Sequence, residues 1–211
     1  MDRKVVLSTA YLPPIQYFAK LLAYDVVYIE SAENYAKQSY RNRCTILSAN
    51  GPLNLSVPAV KSLGNHTPIT MVGIDNSSEW QKNHWRAVES AYRSSPFFDF
   101  GADLLFPFYT QRFENLFELN MELLKVLLGF IGVVVDVRFT TTYLTSYPEE
   151  YHDCRYFIHP KRSFKADDHM VWVEYYQVFS DRFGFVPNLS VIDLIFNEGL
   201  GATSILKSMN K

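Results

Sequence analysis

The sequence predicts an α/β fold, and three features along the chain support it. The first 30 residues read as strand, helix and strand, the pattern of a right-handed βαβ unit with parallel strands. Asn50-Gly51 then separates two apolar segments, which is typical of a β-hairpin. From residue 78 the apolar residues recur with the helical period. We therefore expect a mixed β-sheet that opens with a βαβ unit and a β-hairpin, followed by a helical middle and a C-terminal helix.

The N-terminal third is expected to be rich in strands. The predicted strands are residues 4–9, 25–30, 43–48, 53–57 and 69–75. Pro14 suits the first position of a helix, and Ile15, Phe18 and Leu22 then form one apolar helical face. Pro52 favours a hairpin loop slightly longer than two residues. Because the βαβ strands are parallel and the hairpin strands are antiparallel, the sheet of this region must be mixed.

The middle of the chain is expected to be helical. Trp80 and His84 lie on one face of a helix that the serine–proline pair at 95–96 ends. Residues 97–110 are aromatic and irregular, with one short helix, and residues 113–128 have the apolar spacing of a long amphipathic helix. The core of this region is therefore predicted to be built from helix faces.

The last third is expected to combine a strand, a loop and helices. Residues 133–142 read as a strand, and the charged segment 144–168 reads as a loop. Ser190 is expected to cap a helix that stops at Gly199, with Asp193 as its capping-box partner. A short helix follows to close the chain.

The composition indicates one globular domain spanning residues 1–211. It divides into a strand-rich region (1–76), a helical region (78–129) and a mixed C-terminal region (130–211). Hydrophobic residues make up 48%, enough for a sizeable core, while only 20% are charged, which excludes an intrinsically disordered chain. The net charge of −2 argues against a dedicated basic nucleic-acid-binding protein. The aromatic fraction of 16% suits both core packing and clefts that stack on sugars or bases.

The sequence indicates a cytoplasmic location. The apolar run 126–135 holds ten residues, whereas a membrane-spanning helix needs about 20. The N-terminal apolar stretch Val5-Val6-Leu7 is too short for a signal peptide. Cys44 and Cys154 form neither a disulfide framework nor a zinc pattern, and no metal site is expected.

The first candidate site lies where the first two predicted strands end, at Ser8-Thr9-Ala10 and at Glu30. In open α/β sheets, ligands bind outside the carboxyl ends of parallel strands. The N-terminus of the first helix would lie beside these ends and favours anions. Tyr11 would overhang this crevice. The alternative interpretation is that Glu30 is a solvated strand terminus.

The second candidate site is the short polar segment that precedes the hairpin. It combines three cations, a tyrosine and an amide in Lys37, Tyr40, Arg41, Asn42 and Arg43. If Arg41 begins the hairpin strand, Arg41 and Arg43 point to one face and together clamp a phosphate or carboxylate. The alternative interpretation is a charged sheet edge that discourages aggregation.

His84 is the third candidate, since an apolar helix face could hold it as a general base. The alternative is a core histidine with satisfied hydrogen bonds. A fourth candidate, the charged run 153–169, holds acid, base and thiol side chains, but its spacing fits no metal or nucleophile signature, and we interpret it as a solvated loop. The chain contains no Gly-rich phosphate loop, no His-Glu-x-x-His and no Gly-x-Ser-x-Gly, so the residues indicate no cofactor.

Several short motifs follow one another in an order that is informative as a whole. They are Tyr11-Leu12-Pro13, Tyr17-Phe18 with Lys20 and Asp25, Tyr40-Arg41-Asn42-Arg43, Leu55-Ser56-Val57-Pro58, Trp80 with His84-Trp85, Ala91-Tyr92 with Ser95-Pro96-Phe97-Phe98, and Asn188-Leu189-Ser190 through Gly199. Each motif alone is weak, but together they cover nearly the whole chain. In this order the sequence resembles the WbqC-like protein family.

The resemblance implies a role in bacterial O-antigen and other surface-polysaccharide biosynthesis, where members of the family are proposed to transfer glycine to amino sugars. Many members carry His-Gln-Pro ahead of the first tyrosine. This chain has Leu7-Ser8-Thr9 there, so no role is carried over for that histidine. The positions that match the family motifs are Tyr11, Lys20, Asp25, Lys37, Asn42, Arg43 and His84.

The leading hypothesis is a transferase that joins glycine or a similar acyl group to a nucleotide-linked amino sugar. The catalytic candidates are His84, Glu30 and Lys37, and the substrate-binding candidates are Tyr11, Tyr40, Arg41, Asn42 and Arg43. The two arginines would hold the diphosphate or the donor carboxylate. A tyrosine would stack on the sugar or base.

Two other functions stay open from the sequence. A non-catalytic protein that binds a glycan precursor or a partner enzyme is favoured by the aromatic content and by the lack of a recognisable nucleophile. An RNA-binding module using residues 37–43 is disfavoured by the net charge, although an aminoacyl-tRNA could deliver a glycyl donor. The expected partner is a nucleotide-linked sugar or another anionic small molecule, with aminoacyl-tRNA as the alternative, and the oligomeric state is not indicated.

Overall fold

The computed structural model describes residues 2–211, which contain eight strands and eight α-helices. The strands are β1 (Lys4–Ser8), β2 (Val26–Glu30), β3 (Arg43–Ser48), β4 (Gly51–Ser56), β5 (Ala59–Val60), β6 (Gly73–Ile74), β7 (Asp136–Phe139) and β8 (Tyr151–Asp153). The helices are α1 (Ile15–Ala23), α2 (Trp80–Tyr92), α3 (Phe98–Leu105), α4 (Pro107–Thr110), α5 (Leu116–Phe130), α6 (Ser180–Phe183), α7 (Val191–Glu198) and α8 (Ala202–Ser208). The α/β class with its hairpin, helical middle and C-terminal helix is confirmed.

The central sheet has four parallel strands in the order β7-β2-β1-β8. Helix α1 joins β1 to β2, which pair from Lys4 with Val26 to Ser8 with Glu30, so the predicted βαβ unit is confirmed. The chain winds from β1 through β2 to β7 and then returns to place β8 on the other side of β1. The direction of winding therefore reverses between β1 and β8.

The two faces of this sheet are covered differently. One face is fully buried through Val5, Leu7, Val27 and Ile29. Phe139 shares that face because side chains alternate along a strand, and it packs on Phe117 of α5 with ring centroids 5.7 Å apart. The opposite face carries Tyr151 and is covered by the segment 140–150, whose Tyr147 lies 5.4 Å from the Tyr151 ring. Polar side chains can therefore gather on this second face.

The predicted hairpin is confirmed and is tighter than expected. Ser48 pairs with Gly51, so only two residues form the turn. Pro52 lies opposite Leu47 at a non-hydrogen-bonded pair of the ladder, where the missing N–H of proline costs no hydrogen bond. The Leu47 N–H points away from Pro52 and donates to the Tyr92 hydroxyl at 3.3 Å. The prediction of one mixed sheet in the N-terminal region is wrong. The hairpin and the β5–β6 pair form two separate antiparallel sheets, since β7 and β8 occupy the positions beside β2 and β1.

Short elements differ from the sequence expectation. Only Gly73–Ile74 of the segment 69–75 is a strand, because a 3-10 turn occupies Ile69–Met71. Residues 97–110 form two helices, α3 and α4, with Pro107 at the start of the second. The predicted strand 133–142 is paired only at Asp136–Phe139, and the expected loop 144–168 contains β8.

The start of α7 is held by tertiary contacts. Ser190 makes no capping hydrogen bond; its Oγ donates to the carbonyl oxygen of Leu12 at 2.8 Å. Asp193 accepts a hydrogen bond from the Tyr175 hydroxyl at 2.5 Å and therefore does not complete a capping box. The predicted end of this helix at Gly199 is confirmed, and α8 follows from Ala202.

Candidate functional site

The carboxyl ends of β1 and β8 border a narrow crevice. Its lining includes Ser8, Thr9, Tyr17, Tyr40, Arg41 and Arg155. Where the winding of an open parallel sheet reverses, the connections that follow the two neighbouring strands diverge and leave room for a ligand outside the carboxyl ends. The crevice lies at this reversal, and it is therefore the candidate ligand site of the sheet. Its volume of about 10 Å³ is that of a single water molecule, so a larger ligand would lie across its mouth.

A buried ion pair between Glu33 and Arg41 forms one side of the crevice. Arg41 donates from Nε to Glu33 Oε1 at 2.8 Å and from Nη2 to Glu33 Oε2 at 2.5 Å, a bidentate contact. The same Nη2 donates to Ser8 Oγ at 2.7 Å. The two side chains are only 3% and 1% exposed, so the protein rather than water solvates both charges.

A second buried ion pair joins Glu30 of β2 to Arg155, which follows β8. Arg155 Nη1 donates to Glu30 Oε2 at 2.8 Å, and both side chains are 0% exposed. Arg155 also donates from Nε and Nη2 to Asp153, at 2.9 and 2.7 Å. Glu30 Oε1 accepts from the hydroxyl of Thr140 and from the backbone N–H of Ala32. The interpretation of Glu30 as a solvated strand terminus is therefore wrong.

Tyrosine rings enclose the Arg155 guanidinium on the sheet face that lacks α5. The guanidinium carbon lies 4.7 Å from the ring centroid of Tyr147 and 5.0 Å from that of Tyr143. The hydroxyl of Tyr147 also reaches Glu30 Oε2 at 3.3 Å. The segment 140–150 thus seals this ion pair from solvent.

Ser8 connects the two ion pairs. Its Oγ lies 3.3 Å from Glu33 Oε2 and 3.3 Å from the backbone oxygen of Arg155. Burial raises the pKa of the Glu33 carboxyl, the guanidinium of Arg41 opposes this shift, and the charge of Glu30 adds to it. Glu33 therefore holds a proton more strongly than an exposed glutamate and lies within reach of a hydroxyl that lines the crevice.

More cations gather near Arg41 around His159, in a group that we term the cationic cluster: Arg43, Lys161 and Arg162. Burial lowers the pKa of His159, and the positive charges of Arg41, Lys161, Arg162 and Arg43 lower it further, so these groups lie close together. Lys161 and Arg162 are exposed, whereas Arg43 is half-buried. The Nε of Arg43 is buried and has no hydrogen-bond partner among residues 2–211.

The predicted anion clamp of Arg41 and Arg43 is not formed as a pair of free guanidinium groups. Strand β3 begins at Arg43, so Arg41 lies in the preceding turn and is held by Glu33. Tyr40 lines the crevice, and burial raises the pKa of its hydroxyl to about 12. Asn42 donates to a backbone carbonyl, and its Oδ1 has no partner within the stretch of chain that the structure describes. Arg43 is thus the arginine with donor capacity to spare.

Tyr11 and His84 meet each other, but in a separate buried cluster. The Tyr11 hydroxyl lies 2.9 Å from His84 Nδ1 and 3.0 Å from the Tyr109 hydroxyl, so Tyr11 is buried and does not overhang the crevice. Burial lowers the pKa of His84 to about 4, which leaves its ring neutral at neutral pH. Lys37 is exposed and lies near Lys61, whose pKa it lowers. Neither His84 nor Lys37 lines the crevice.

The segment 153–169 is not the solvated loop that the sequence suggested. Arg155 and Asp167, near its two ends, are both buried. Asp167 accepts from Lys20 Nζ at 2.9 Å, and each of these side chains is 1% exposed. This ion pair fixes the segment against α1 and so helps to hold Arg155 in place.

Sequence reasoning missed Glu33, Arg155 and Asp167 as important residues. Strand β8 has only three residues, too few to show a period, and the charges around it read as solvated. Glu33 lies in a polar stretch without regular spacing. Its position just after β2 is the one signal that could have indicated it, because ligands bind where parallel strands end.

Two further findings bear on the kind of site present. Residues 2–211 contain no cluster of three or more His, Cys, Asp or Glu side chains that could hold a metal ion. Within the same range no helix has the length and apolar character required to traverse a bilayer. The polar side chains that line the crevice carry hydroxyl, phenol, guanidinium and thiol groups.

Comparison with known proteins gives a family but no activity. The chain is 26% identical over 228 residues to an uncharacterised protein of Mycobacterium tuberculosis, an alignment that covers 98% of each chain. No solved structure matches it. The model of the WbqC-like protein family matches residues 9–158, which begin directly after β1 and include the end of β2, the segment 37–43, His84 and Arg155. On this match, which spans well over half of its length, the chain belongs to the WbqC-like protein family.

Proposed function

We propose that the protein is a transferase of bacterial surface-polysaccharide (O-antigen) biosynthesis that adds glycine or a similar acyl group to a nucleotide-linked amino sugar. Family membership supports the pathway at the level of the family's background. The observation that carries the proposal is the pair of buried carboxylate–guanidinium contacts at the winding reversal of the parallel sheet.

Buried ion pairs are a poor means of stabilising a fold. Taking four charged groups out of water is costly, and apolar residues of similar volume commonly do as well or better. Charges that are retained in such a position, next to a crevice where this type of sheet binds ligands, favour a functional role. Glu33, Arg41, Glu30 and Arg155 meet that description.

The ligand proposed here is an anion with a ring to stack. The half-buried Arg43 would bind the diphosphate through the exposed part of its guanidinium, and the exposed Lys161 and Arg162 would add attraction. Tyr40, which lines the crevice, would stack on the sugar or the base. This arrangement assigns binding to the cationic cluster and chemistry to the buried ion pairs.

Glu33 is the proton acceptor in this proposal. The sugar amine attacks the acyl carbon of an activated donor, the new C–N bond forms, and the bond to the donor's leaving group breaks. The ammonium proton passes through Ser8 Oγ to Glu33, whose raised pKa suits a base better than the pKa of about 4 at His84. Glu30 is occupied by Arg155, Thr140 and a backbone N–H, and it serves to position Arg155.

A thermal-melt titration with UDP- and dTDP-linked amino sugars tests the binding step. A ligand at about 100 times its dissociation constant adds about 2.7 kcal/mol of stability, which raises the melting temperature by roughly 5–10 °C at this size. The shift should disappear in Arg43→Ala and persist in Lys82→Ala, an exposed control on α2. No shift in the wild-type protein with any nucleotide sugar would contradict the proposal.

Glu33→Gln tests the chemical step separately. Loss of a general base lowers turnover by about 10²–10⁴-fold, while the nucleotide-sugar melting shift should remain. Glu118→Gln is a matched control, because it is the same substitution at an exposed position of α5 outside the crevice and should leave both readouts unchanged.

A non-catalytic glycan-precursor or partner-binding protein is the second candidate. The observation that favours it is that each buried carboxylate at the crevice is already paired with an arginine. Binding of a nucleotide sugar without turnover of any acyl donor, including an aminoacyl-tRNA, would select this candidate over the transferase.

A further inference from the structure

Strand β7 forms one edge of the central sheet and has unpaired backbone groups. Its first neighbour is β2, and the Thr140 N–H donates to the Ile29 oxygen at 3.1 Å. Along a strand, the backbone groups of successive residues point alternately to the two sides. Since Thr140 bonds to β2, the N–H and C=O groups of Val137 and Phe139 point away from β2. Among residues 2–211 nothing pairs with them.

Strand β7 has only part of the protection that monomeric proteins give to an open strand. It is four residues long and carries Asp136 and Arg138, which both discourage pairing, but it contains no proline. The segment 133–139 reads Val-Val-Val-Asp-Val-Arg-Phe, and its last four residues form β7. Its side chains alternate between half-buried and exposed up to Arg138, and Phe139 is exposed as well. Val134 is 100% exposed and Phe139 is 51% exposed. An apolar edge of this kind is a template for pairing with another strand.

An apolar groove runs beside the same edge, between β7 and α5. Its lining includes Met121, Leu124, Leu128, Val135, Val137 and Phe139. The exposed charges along its helical rim are opposite in sign, Glu122 and Lys125. The groove and the edge therefore form one continuous surface with apolar and charged parts.

We propose that two copies of this chain form a two-fold dimer by antiparallel pairing of their β7 strands, with Val137 on the axis. The outward N–H and C=O of each Val137 then bond to those of the other copy, giving a hydrogen-bonded pair at the centre. Phe139 lies opposite Val135 of the second copy, on the face that carries the apolar groove. The two parallel sheets join into one sheet of eight strands.

The charges of β7 fit this register. Asp136 and Arg138 flank Val137 on the opposite face, so the antiparallel pairing sets Asp136 of each copy against Arg138 of the other. Within one copy the two side chains are already 2.7 Å apart and about half exposed, a geometry that contributes little to monomer stability. The charges on β7 are therefore complementary to those on β7 of a second copy of the chain.

The test measures the dissociation constant of the dimer by sedimentation over a dilution series from about 100 μM. The wild-type protein should have twice the 24.4 kDa mass of one chain at the upper end of this series. Asp136→Arg and Arg138→Asp should each raise the dissociation constant about tenfold or more, because two like-charge pairs replace two opposite-charge pairs. Asp103→Arg, the same substitution at an exposed position on α3, should leave it unchanged.

An equimolar mixture of the two single variants separates the interface from effects within one chain. Each variant carries two like charges on its own β7. In a mixed dimer, the charges that face each other across the interface are opposite. The dissociation constant of the mixed dimer should therefore return to within a few-fold of the wild-type value. If a single variant does not fold by circular dichroism, the double variant Asp136→Arg, Arg138→Asp replaces the mixture and should dimerise. A monomeric wild-type protein, single variants that dimerise normally, or a mixture and a double variant that stay monomeric would overturn the proposal.

Discussion

At the scale of single residues, the crevice depends on charges that have been removed from water. Arg41 contacts Glu33 through two nitrogen atoms and Ser8 through one of them, with almost no exposed surface. Removing one partner of such a pair leaves the other charge buried without compensation. Removing both leaves no charge to compensate. The pair is therefore more sensitive to single than to double replacement.

Arg41→Met should lower the free energy of unfolding by about 3–5 kcal/mol, because it strands the Glu33 carboxylate. The double variant Glu33→Leu, Arg41→Met should lower it by less than about 1 kcal/mol, since both replacements are apolar and of similar volume. Urea unfolding of the variants measures both values. A double variant as unstable as the single one would show that the loss comes from packing rather than from a buried unpaired charge.

His84 provides a pH dependence at the same scale. Its pKa falls from 6.5 to about 4 on folding, so unfolding takes up a proton between these values. The stability that the neutral ring contributes is complete above pH 6.5 and is lost as the pH falls towards 4. His84→Gln, which keeps an acceptor for the Tyr11 hydroxyl, should therefore lose roughly 3 kcal/mol less than the wild-type protein over this interval. Equal losses in chemical denaturation would assign the titration to other groups.

At the scale of elements, two glycines show where the helices allow a side chain and where they do not. Gly199 ends α7 with a φ of +56°, and a Cβ there would lie 2.6 Å from Phe97 Cδ1. Gly129 lies inside α5, and no atom is within 4 Å of its Cβ position. The first glycine is required by backbone conformation and packing, whereas the second is not.

Gly199→Ala should lower the free energy of unfolding by about 2–4 kcal/mol, because a left-handed backbone and overpacking each destabilise by roughly 1–3 kcal/mol. Gly129→Ala should raise it by about 0.5–1 kcal/mol, since alanine restricts the unfolded chain and favours the helix. Thermal and urea unfolding of the two variants compare them directly. A stabilising Gly199→Ala would contradict the described contact with Phe97.

Elements long enough to show a repeating apolar pattern are predictable from the sequence, and strands of two or three residues are not. The helices α1, α2 and α5 follow from apolar spacing over two or more turns, and the hairpin follows from Asn50-Gly51. Strands β6 and β8 have two and three residues, over which no alternation can be recognised. Ser190 shows a second reason why prediction from the sequence fails. Its hydrogen bond to Leu12 joins positions 178 residues apart, so no local pattern indicates it.

At the scale of the whole molecule, the candidate site depends on strand order. Ser8, Glu30 and Glu33 could be placed together from the sequence by the rule that ligands bind beyond the ends of parallel strands. Arg155 could not, since its contact with Glu30 spans 125 residues and requires β8 to lie beside β1. Topology of this kind is set by the packing of the complete chain, so no local pattern encodes it.

Amide hydrogen exchange of the intact protein, with and without a saturating UDP-linked amino sugar, shows which segments a ligand covers. We expect slower exchange in the segments 8–12, 31–43 and 153–162, which surround the crevice and the cationic cluster. Exchange in α2 around His84 should change little. Slowing confined to α2 or to the α5–β7 groove, or no slowing in any segment, would contradict a ligand site at the carboxyl ends of β1 and β8.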